Sequence, residues 1–275
     1  MTFSRLDLDG LGSPSALAAR IYELAPDLTR DFDIADLCRQ LDIVSITEIP
    51  TSAYEAALVM DEHKASGAIL LAEGRSAERR RFSIGHELGH FLIPTHMPRA
   101  GEPMTCALAD FHHTDAKAHD RHKRIEAEAN RFAAALLMPP QRIRRAMTSR
   151  EPDLAEIVRL AREFAVSKEA MARGYVAASR ADIAVLVVQH RRLLRVYRSA
   201  EFPWIEVQVG QSVPPDSLAV DGIHLPGTLT TIEECEPEIW LGSSATASVE
   251  VMTEQVLGQA KGYALILLRV ESGET

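Results

Sequence analysis

The stretch "RFSIGHELGHFLIPTH", residues 81–96, carries two histidines four positions apart, with a glutamate directly after the first. Because each residue of an α-helix turns by about 100°, His86 and His90 would project from one side of a helix. An apolar stripe on roughly the opposite face comprises Ile84, Leu88, Phe91 and Leu92. One face suits a hydrophobic core and the other an ion, so the pattern predicts a metal-binding helix over residues 76–93.

The glutamate of this H-E-x-x-H motif has a chemistry of its own. Glu87 would project slightly to the side of the two histidines, where it could hold a water molecule and act as general base. A catalytic zinc ion takes three protein ligands and leaves its fourth position to water. We therefore predict one zinc ion per chain, with manganese or iron as alternative occupants, and a third protein ligand elsewhere in the sequence.

His96 is the first candidate for the third ligand, because it has the spacing of the pattern H-E-x-x-H-x-x-G-x-x-H. In that pattern the glycine lets the chain turn sharply back towards the metal. Here Ile93 stands in its place and Pro94 follows. A β-branched residue is poorly suited to such a turn, so His96 is not expected to be a ligand.

A histidine-rich stretch offers further candidates, which are His112, His113, His119 and His122, with Cys106 nearby. No spacing within this stretch repeats a known ligand pair. A lone cysteine more often contributes to packing than to metal binding. The stretch is therefore not favoured as the source of the third ligand.

The helix-like segment "IEAEANRFAAALLMP" offers two carboxylates that point to different sides of a helix. A glutamate on a second helix would complete a His-His-Glu site. Glu128 could instead pair with Arg124 and Arg131 at the helix surface. Glu126 has Asn130 one turn further on, where an amide could fix the N–H of a ligating histidine. Glu126 is the preferred third ligand and Glu128 the alternative.

These two segments together resemble a known family. "HELGHFLI" followed by "EAEANRFAAALLMP" resembles the ImmA/IrrE metallopeptidases, which carry H-E-x-x-H and a downstream E-x-x-A-N/D-x-F-A-x-x-L-L-x-P signature. The resemblance covers roughly residues 15–180. The spacing from Glu126 to Asn130 also resembles the third-ligand motif of gluzincins, which favours Glu126.

The resemblance implies a zinc-dependent, site-specific endopeptidase of the cytoplasm. Its substrate would be a transcriptional repressor of the XRE helix-turn-helix type, whose cleavage derepresses stress-response or mobile-element genes. An alternative of another class is a non-enzymatic regulator, in which a metal-stabilised fold binds a repressor or a ligand. Replacing Glu87 by glutamine would discriminate between the two.

The predicted fold class is α+β, in three parts. Residues 1–150 would form a zincin-like metallopeptidase domain and residues 151–180 a helix-turn-helix-like segment. From about residue 181, short strand-like runs separated by Gly, Pro and Ser predict a β-rich domain that extends to residue 275. The resemblance to the longer, IrrE-like members implies that this last domain is sensory or regulatory and GAF-like.

Two further expectations concern substrate binding. The strand predicted at "ASGAILLA", just before the metal helix, could hold an extended peptide along its edge, unless it is buried inside the sheet. Tyr175 and Arg173 are candidates for stabilising the oxyanion, but packing or surface roles are favoured for both.

Composition limits the classes of partner. The 275 residues carry a net charge of −9, and the predicted helix-turn-helix has little basic surplus, so direct DNA binding is not expected. The three cysteines, an odd number, favour a reducing compartment. No secretion signal and no apolar run of about 20 residues is visible, so we predict a cytoplasmic protein without membrane spans.

Overall fold

The fold was analysed in a computed structural model. It describes residues 3–61, 63–97, 104–106, 121–149, 151–220 and 225–272. Within this part of the chain, no helix combines the length and apolar character needed to cross a bilayer.

The chain divides into two compact units. The first comprises Met1–Pro139 and Glu163–Val166, and the second comprises Pro140–Arg162 and Ser167–Thr275. Most of the segment predicted as helix-turn-helix-like therefore groups with the β-rich C-terminal part. The predicted division into 1–150, 151–180 and 181–275 differs from these units, and as a functional division it stays a prediction.

The first unit contains a four-stranded mixed sheet. Its strands are β1 (Ile43–Ile49), β2 (Ala56–Met60), β3 (Gly67–Ala72) and β4 (Met104–Cys106), in the order β1-β3-β2-β4. Strand β3 pairs in parallel with β1 and antiparallel with β2. Because β3 is hydrogen-bonded along both edges, the prediction that a substrate adds to "ASGAILLA" is wrong. The nearly uninterrupted apolar run of β3 is typical of such an inner strand.

Four helices accompany this sheet: α1 (Pro14–Leu24), α2 (Ile34–Gln40), α3 (Ala77–Leu92) and α4 (Arg121–Leu137). Helix α1 begins with Ser13 at its N-cap and Pro14 at its first position, where proline costs no backbone hydrogen bond. The Ser76 hydroxyl accepts a hydrogen bond from the backbone N–H of Arg79 and caps α3. The helix over 76–93 predicted from the opening stretch is thereby confirmed.

Helices α3 and α4 approach each other closely at Gly89. A Cβ atom on Gly89 would lie 3.0 Å from Phe132 Cδ1 and 3.3 Å from Ala129 Cα. A Cβ atom on Gly85 would meet Ala133 Cβ at 3.5 Å, an ordinary contact. The approach therefore requires glycine at position 89 and merely accommodates it at position 85.

The two glycines predict opposite effects of alanine. We expect Gly89→Ala to lower the free energy of unfolding by about 1–3 kcal/mol, because Phe132 and the α4 backbone must move. Gly85→Ala should raise it by up to about 1 kcal/mol through helix propensity. Urea denaturation of both variants tests this, and equal stabilities would contradict the close approach at Gly89.

The second unit combines helices with an antiparallel sheet. The helices are α5 (Pro140–Ala146), α6 (Leu154–Glu163) and α7 (Lys168–Ala178). The strands are β5 (Ile183–Gln189), β6 (Arg192–Arg198), β7 (Glu233–Glu234), β8 (Val249–Gly258) and β9 (Tyr263–Ser272), in the order β6-β5-β9-β8-β7, and a short helix α8 (Ser243–Thr246) precedes β8. The predicted β-rich C-terminal region is confirmed, and its GAF-like character stays a prediction.

Two of the strands predicted in this region do not form. "WIEVQVG" and "EIWLG" contribute only an isolated bridge between Ile205 and Leu241, and Pro237–Ile239 form a 3-10 turn. The indole of Trp240 is buried and donates to Glu254 Oε2 at 3.2 Å. These apolar residues therefore enter the core from turns rather than from alternating strand positions.

A buried carboxylate joins the helices of the second unit. Glu156 on α6 accepts hydrogen bonds from the backbone N–H groups of Thr148 at 2.6 Å and Ser149 at 3.0 Å, and from the Tyr175 hydroxyl at 3.3 Å. Burial alone would raise the pKa of Glu156, but these donors and Arg159 outweigh it and hold the pKa below its usual value. Tyr175 therefore has the packing role that the sequence favoured.

Glu156 should make stability depend on pH. Its carboxylate contributes stability above the pKa of the unfolded chain, and the contribution is lost as the pH falls through the lower pKa of the folded state. We expect Glu156→Gln to cost roughly 2–3 kcal/mol at neutral pH and less under acid conditions. Urea unfolding of both proteins at neutral and acidic pH measures the difference, and a pH-independent gap would contradict this account.

Candidate metal centre

Two histidines and one glutamate converge where α3 crosses α4. His86 Nε2 and His90 Nε2 lie 3.0 Å apart. Glu126 places Oε2 3.2 Å from His86 Nε2 and Oε1 3.4 Å from His90 Nε2. All three side chains are almost completely buried, and they form a group of the kind that holds a metal ion. The structure thus brings the three predicted ligands together, and their binding of a metal stays a prediction.

The spacing of these atoms fits a single small cation. Ligand atoms about 2.0–2.1 Å from a tetrahedral zinc ion lie roughly 3.3 Å from one another. His86 Nε2 and His90 Nε2 lie 3.0 Å apart, close to that value. Glu126 has a different oxygen near each of them, Oε2 at 3.2 Å from His86 Nε2 and Oε1 at 3.4 Å from His90 Nε2. Two imidazole nitrogens and a carboxylate are also a donor set that zinc accepts. The residues therefore fit the predicted cofactor.

Asn130 orients the first histidine. Its Oδ1 atom lies 2.9 Å from His86 Nδ1. A carbonyl oxygen only accepts hydrogen bonds, so His86 Nδ1 carries the hydrogen and donates it, which leaves the Nε2 lone pair directed at the group. The contact that the sequence predicted for Asn130 is present.

The second histidine has a different neighbour. His90 Nδ1 lies 3.0 Å from His96 Nδ1, and His96 Nε2 lies 2.8 Å from Glu128 Oε2. His96 is completely buried beside the group without belonging to it. Glu128, for which the sequence favoured a surface pair with arginine, instead contacts His96. Sequence reasoning missed this pair because it depends on the path of the chain after α3.

The electrostatics of the group favour cation binding. Burial lowers the pKa of His90 to about 3, which keeps its imidazole neutral. Burial would raise the pKa of Glu126, but its interactions with His86 and His90 outweigh burial and hold the pKa below its usual value. Burial by itself would lower the pKa of His86, but Glu126 and Glu87 outweigh burial and raise the pKa. A negative carboxylate beside imidazole nitrogens is the charge arrangement that a divalent ion needs.

Glu87 lies next to these ligands in the sequence and is equally buried on α3. It is not a member of the converging group formed by His86, His90 and Glu126. The role of Glu87 as general base stays a prediction.

The remaining sequence candidates are distributed as follows. His122 is described and largely exposed, with its Nδ1 4.0 Å from Glu126 Oε1. His112, His113 and His119 lie outside the described residues, as does the side chain of Cys106. Arg173 belongs to α7 in the second unit.

Lys64 is a residue whose role the sequence did not reveal. Its ammonium group donates to the backbone carbonyls of Ile93 at 2.7 Å and His90 at 3.0 Å. It is 9% exposed and lies in the turn between β2 and β3. A positive charge at the carboxyl end of a helix is stabilising, and here it fixes the end of α3.

The fold and the site define a mixed α/β domain in which two crossing helices present a buried His-His-Glu centre. Residues 38–174 match the IrrE N-terminal-like domain. The chain belongs, through this domain, to the ImmA/IrrE family of metallopeptidases. The family that the sequence predicted is thereby confirmed.

Two known proteins are similar to the chain, one in sequence and one in fold. The chain is 32% identical over 161 residues to the radiation response metalloprotease IrrE of Deinococcus deserti. The matched region covers 56% of this chain and 52% of that protein. It thus spans about half the length of this curated relative. A transcriptional regulator of Mycobacterium tuberculosis has a similar fold, with a TM-score of 0.54 and 12% identity over 94% of this chain and 87% of the other.

Proposed function

We propose that the protein is a zinc-dependent, site-specific endopeptidase. The observation that carries this proposal is the convergence of His86, His90 and Glu126 into one buried group, whose possible ligand atoms all lie within 4.8 Å of one another. Membership of a metallopeptidase family supports the same activity. His86, His90 and Glu126 would hold the ion, one per chain, in a gluzincin-like arrangement.

Each residue of the centre has a separate task in peptide hydrolysis. When bound, zinc would polarise the scissile carbonyl and lower the pKa of a water molecule towards neutrality. Glu87 takes a proton from the attacking water on its carboxylate and delivers it to the nitrogen of the leaving amine. Asn130 holds His86 with its Nε2 lone pair facing the ion.

The proposed substrate is a transcriptional repressor of the XRE helix-turn-helix type, in the cytoplasm. The family resemblance supports this choice, and the name of the Deinococcus deserti relative links a metalloprotease to a stress response. Cleavage would derepress stress-response or mobile-element genes. The β-rich second unit would be sensory, and narrow specificity would restrain the enzyme inside the cell.

A reconstituted reaction tests the proposal. Purified protein is incubated with a purified XRE-type repressor, ideally one encoded beside its gene, and the products are analysed by mass spectrometry. We expect a single cut that a chelator abolishes and zinc restores. A repressor that remains intact with zinc-loaded protein, yet binds to it, would support the non-enzymatic regulator instead.

A further inference from the structure

The two histidines of the centre are supported by different partners. His86 directs its Nδ1 atom to the amide oxygen of Asn130, whereas His90 directs its Nδ1 atom to another imidazole, that of His96. A contact between two imidazole nitrogens does not by itself say which one carries the hydrogen. The hydrogen positions are decided by the far side of His96.

Glu128 determines which nitrogen atoms of His96 and His90 carry the hydrogens. His96 Nε2 lies 2.8 Å from Glu128 Oε2. An ionised carboxylate only accepts hydrogen bonds, so His96 Nε2 must donate. A neutral His96 then has its lone pair on Nδ1 and accepts a hydrogen bond from His90 Nδ1. The Nε2 atom of His90 is left without a hydrogen and can act as a metal ligand.

The position of His96 is itself fixed by the end of α3. Lys64 donates to the carbonyls of His90 and Ile93, and the His96 backbone N–H donates to the Ile93 carbonyl at 3.2 Å. These bonds hold the turn that carries the His96 ring back to His90. The sequence offers both His96 and Glu128 as candidate third ligands, but in the structure they contact each other.

We propose that His96 and Glu128 form a positioning pair that holds His90 in the tautomer with a free Nε2 atom. This inference rests on the proposed function, since it assigns the pair a role in loading the metal that His90 would bind. Neither residue is a ligand, and each acts through His90. Helix α4 would thus supply the ligand Glu126 together with a positioning residue for each histidine, Asn130 and Glu128.

Two variants of His96 separate positioning from simple packing. In His96→Gln an amide oxygen can still accept from His90 Nδ1, as Asn130 does for His86. His96→Leu removes the acceptor that His96 provides. We expect zinc affinity, measured by competition with a chromophoric chelator, to fall by about 10- to 100-fold in His96→Leu. The affinity of His96→Gln should stay much closer to that of the parent protein.

The second measurement is the tautomer itself. Nitrogen-15 NMR of the zinc-free protein should show the hydrogen of His90 on Nδ1 and that of His96 on Nε2. Glu128→Gln should reduce this preference, because a glutamine amide can donate as well as accept. Arg131→Ala, on the exposed side of the same helix, is the matched control and should change neither the spectrum nor the zinc affinity.

These experiments distinguish failure of the positioning role from failure of the proposed function. If the parent protein binds zinc and His96→Leu binds it equally tightly while remaining folded by circular dichroism, the positioning role is wrong. A parent spectrum with the His90 hydrogen on Nε2 also overturns it. If the parent protein binds no zinc, the proposed function fails, and the NMR result still decides the arrangement of the pair. Should His96→Leu not fold, Glu128→Gln carries the same tests.

Discussion

Replacing Glu87 by glutamine is expected to abolish peptide cleavage and to leave zinc binding intact. Glutamine has nearly the same size, so the buried position beside His86 is preserved, but its amide cannot take a proton from water. Loss of a general base typically lowers the rate by about 10²- to 10⁴-fold. Cleavage of the repressor and the zinc content of the purified variant are the two measurements.

The same helix offers a matched control for this experiment. Glu78 lies in the first turn of α3 and is exposed. Glu78→Gln makes the same chemical change away from the centre and should preserve both activity and zinc. If Glu87→Gln still cuts at the parent rate, Glu87 is not the general base. If it loses zinc, Glu87 contributes to coordination instead.

Glu126→Gln should have the largest effect on metal loading. Glu126 is the only carboxylate in the converging group that the described residues form, so the change removes the charge and weakens one ligand. We expect zinc affinity to fall by more than the about 10- to 100-fold typical of residues that only orient a ligand. Cleavage should disappear at zinc concentrations that saturate the parent protein.

Glu128→Gln is the natural comparison because the sequence left both glutamates open as the third ligand. Its effect on zinc affinity should be clearly smaller than that of Glu126→Gln, since Glu128 contacts His96 and not the converging group. Equal losses, or a larger loss for Glu128→Gln, would refute the assignment of Glu126. Isothermal titration of zinc into both proteins provides the comparison.

Local sequence patterns were sufficient to predict the helices and the three residues of the converging group. Ser13 with Pro14 and the cap at Ser76 mark helix starts, and the four-residue spacing of His86 and His90 places both on one face. Glu126 could be preferred because Asn130 follows it by one turn. Each of these inferences uses residues close together on one helix, where geometry follows from spacing.

The features that were missed depend on contacts between distant segments. The pairing of His96 with Glu128 requires the turn that Lys64 fixes after α3, and no local pattern encodes that turn. Strand β3 was expected to offer an edge, but its position between β1 and β2 is a property of the whole sheet. "WIEVQVG" has an alternating pattern and nevertheless contributes only an isolated bridge, between Ile205 and Leu241.

The crossing of α3 and α4 has a consequence for the folding of the first unit. An ion held by His86, His90 and Glu126 would act as a reversible cross-link that closes a loop of some forty residues. Closing such a loop restricts the unfolded chain and so favours the folded one, by an amount that grows slowly with loop length. Metal supply would then set the lifetime of the protein as well as its catalytic competence, since each ion withdrawn leaves a chain that unfolds more readily.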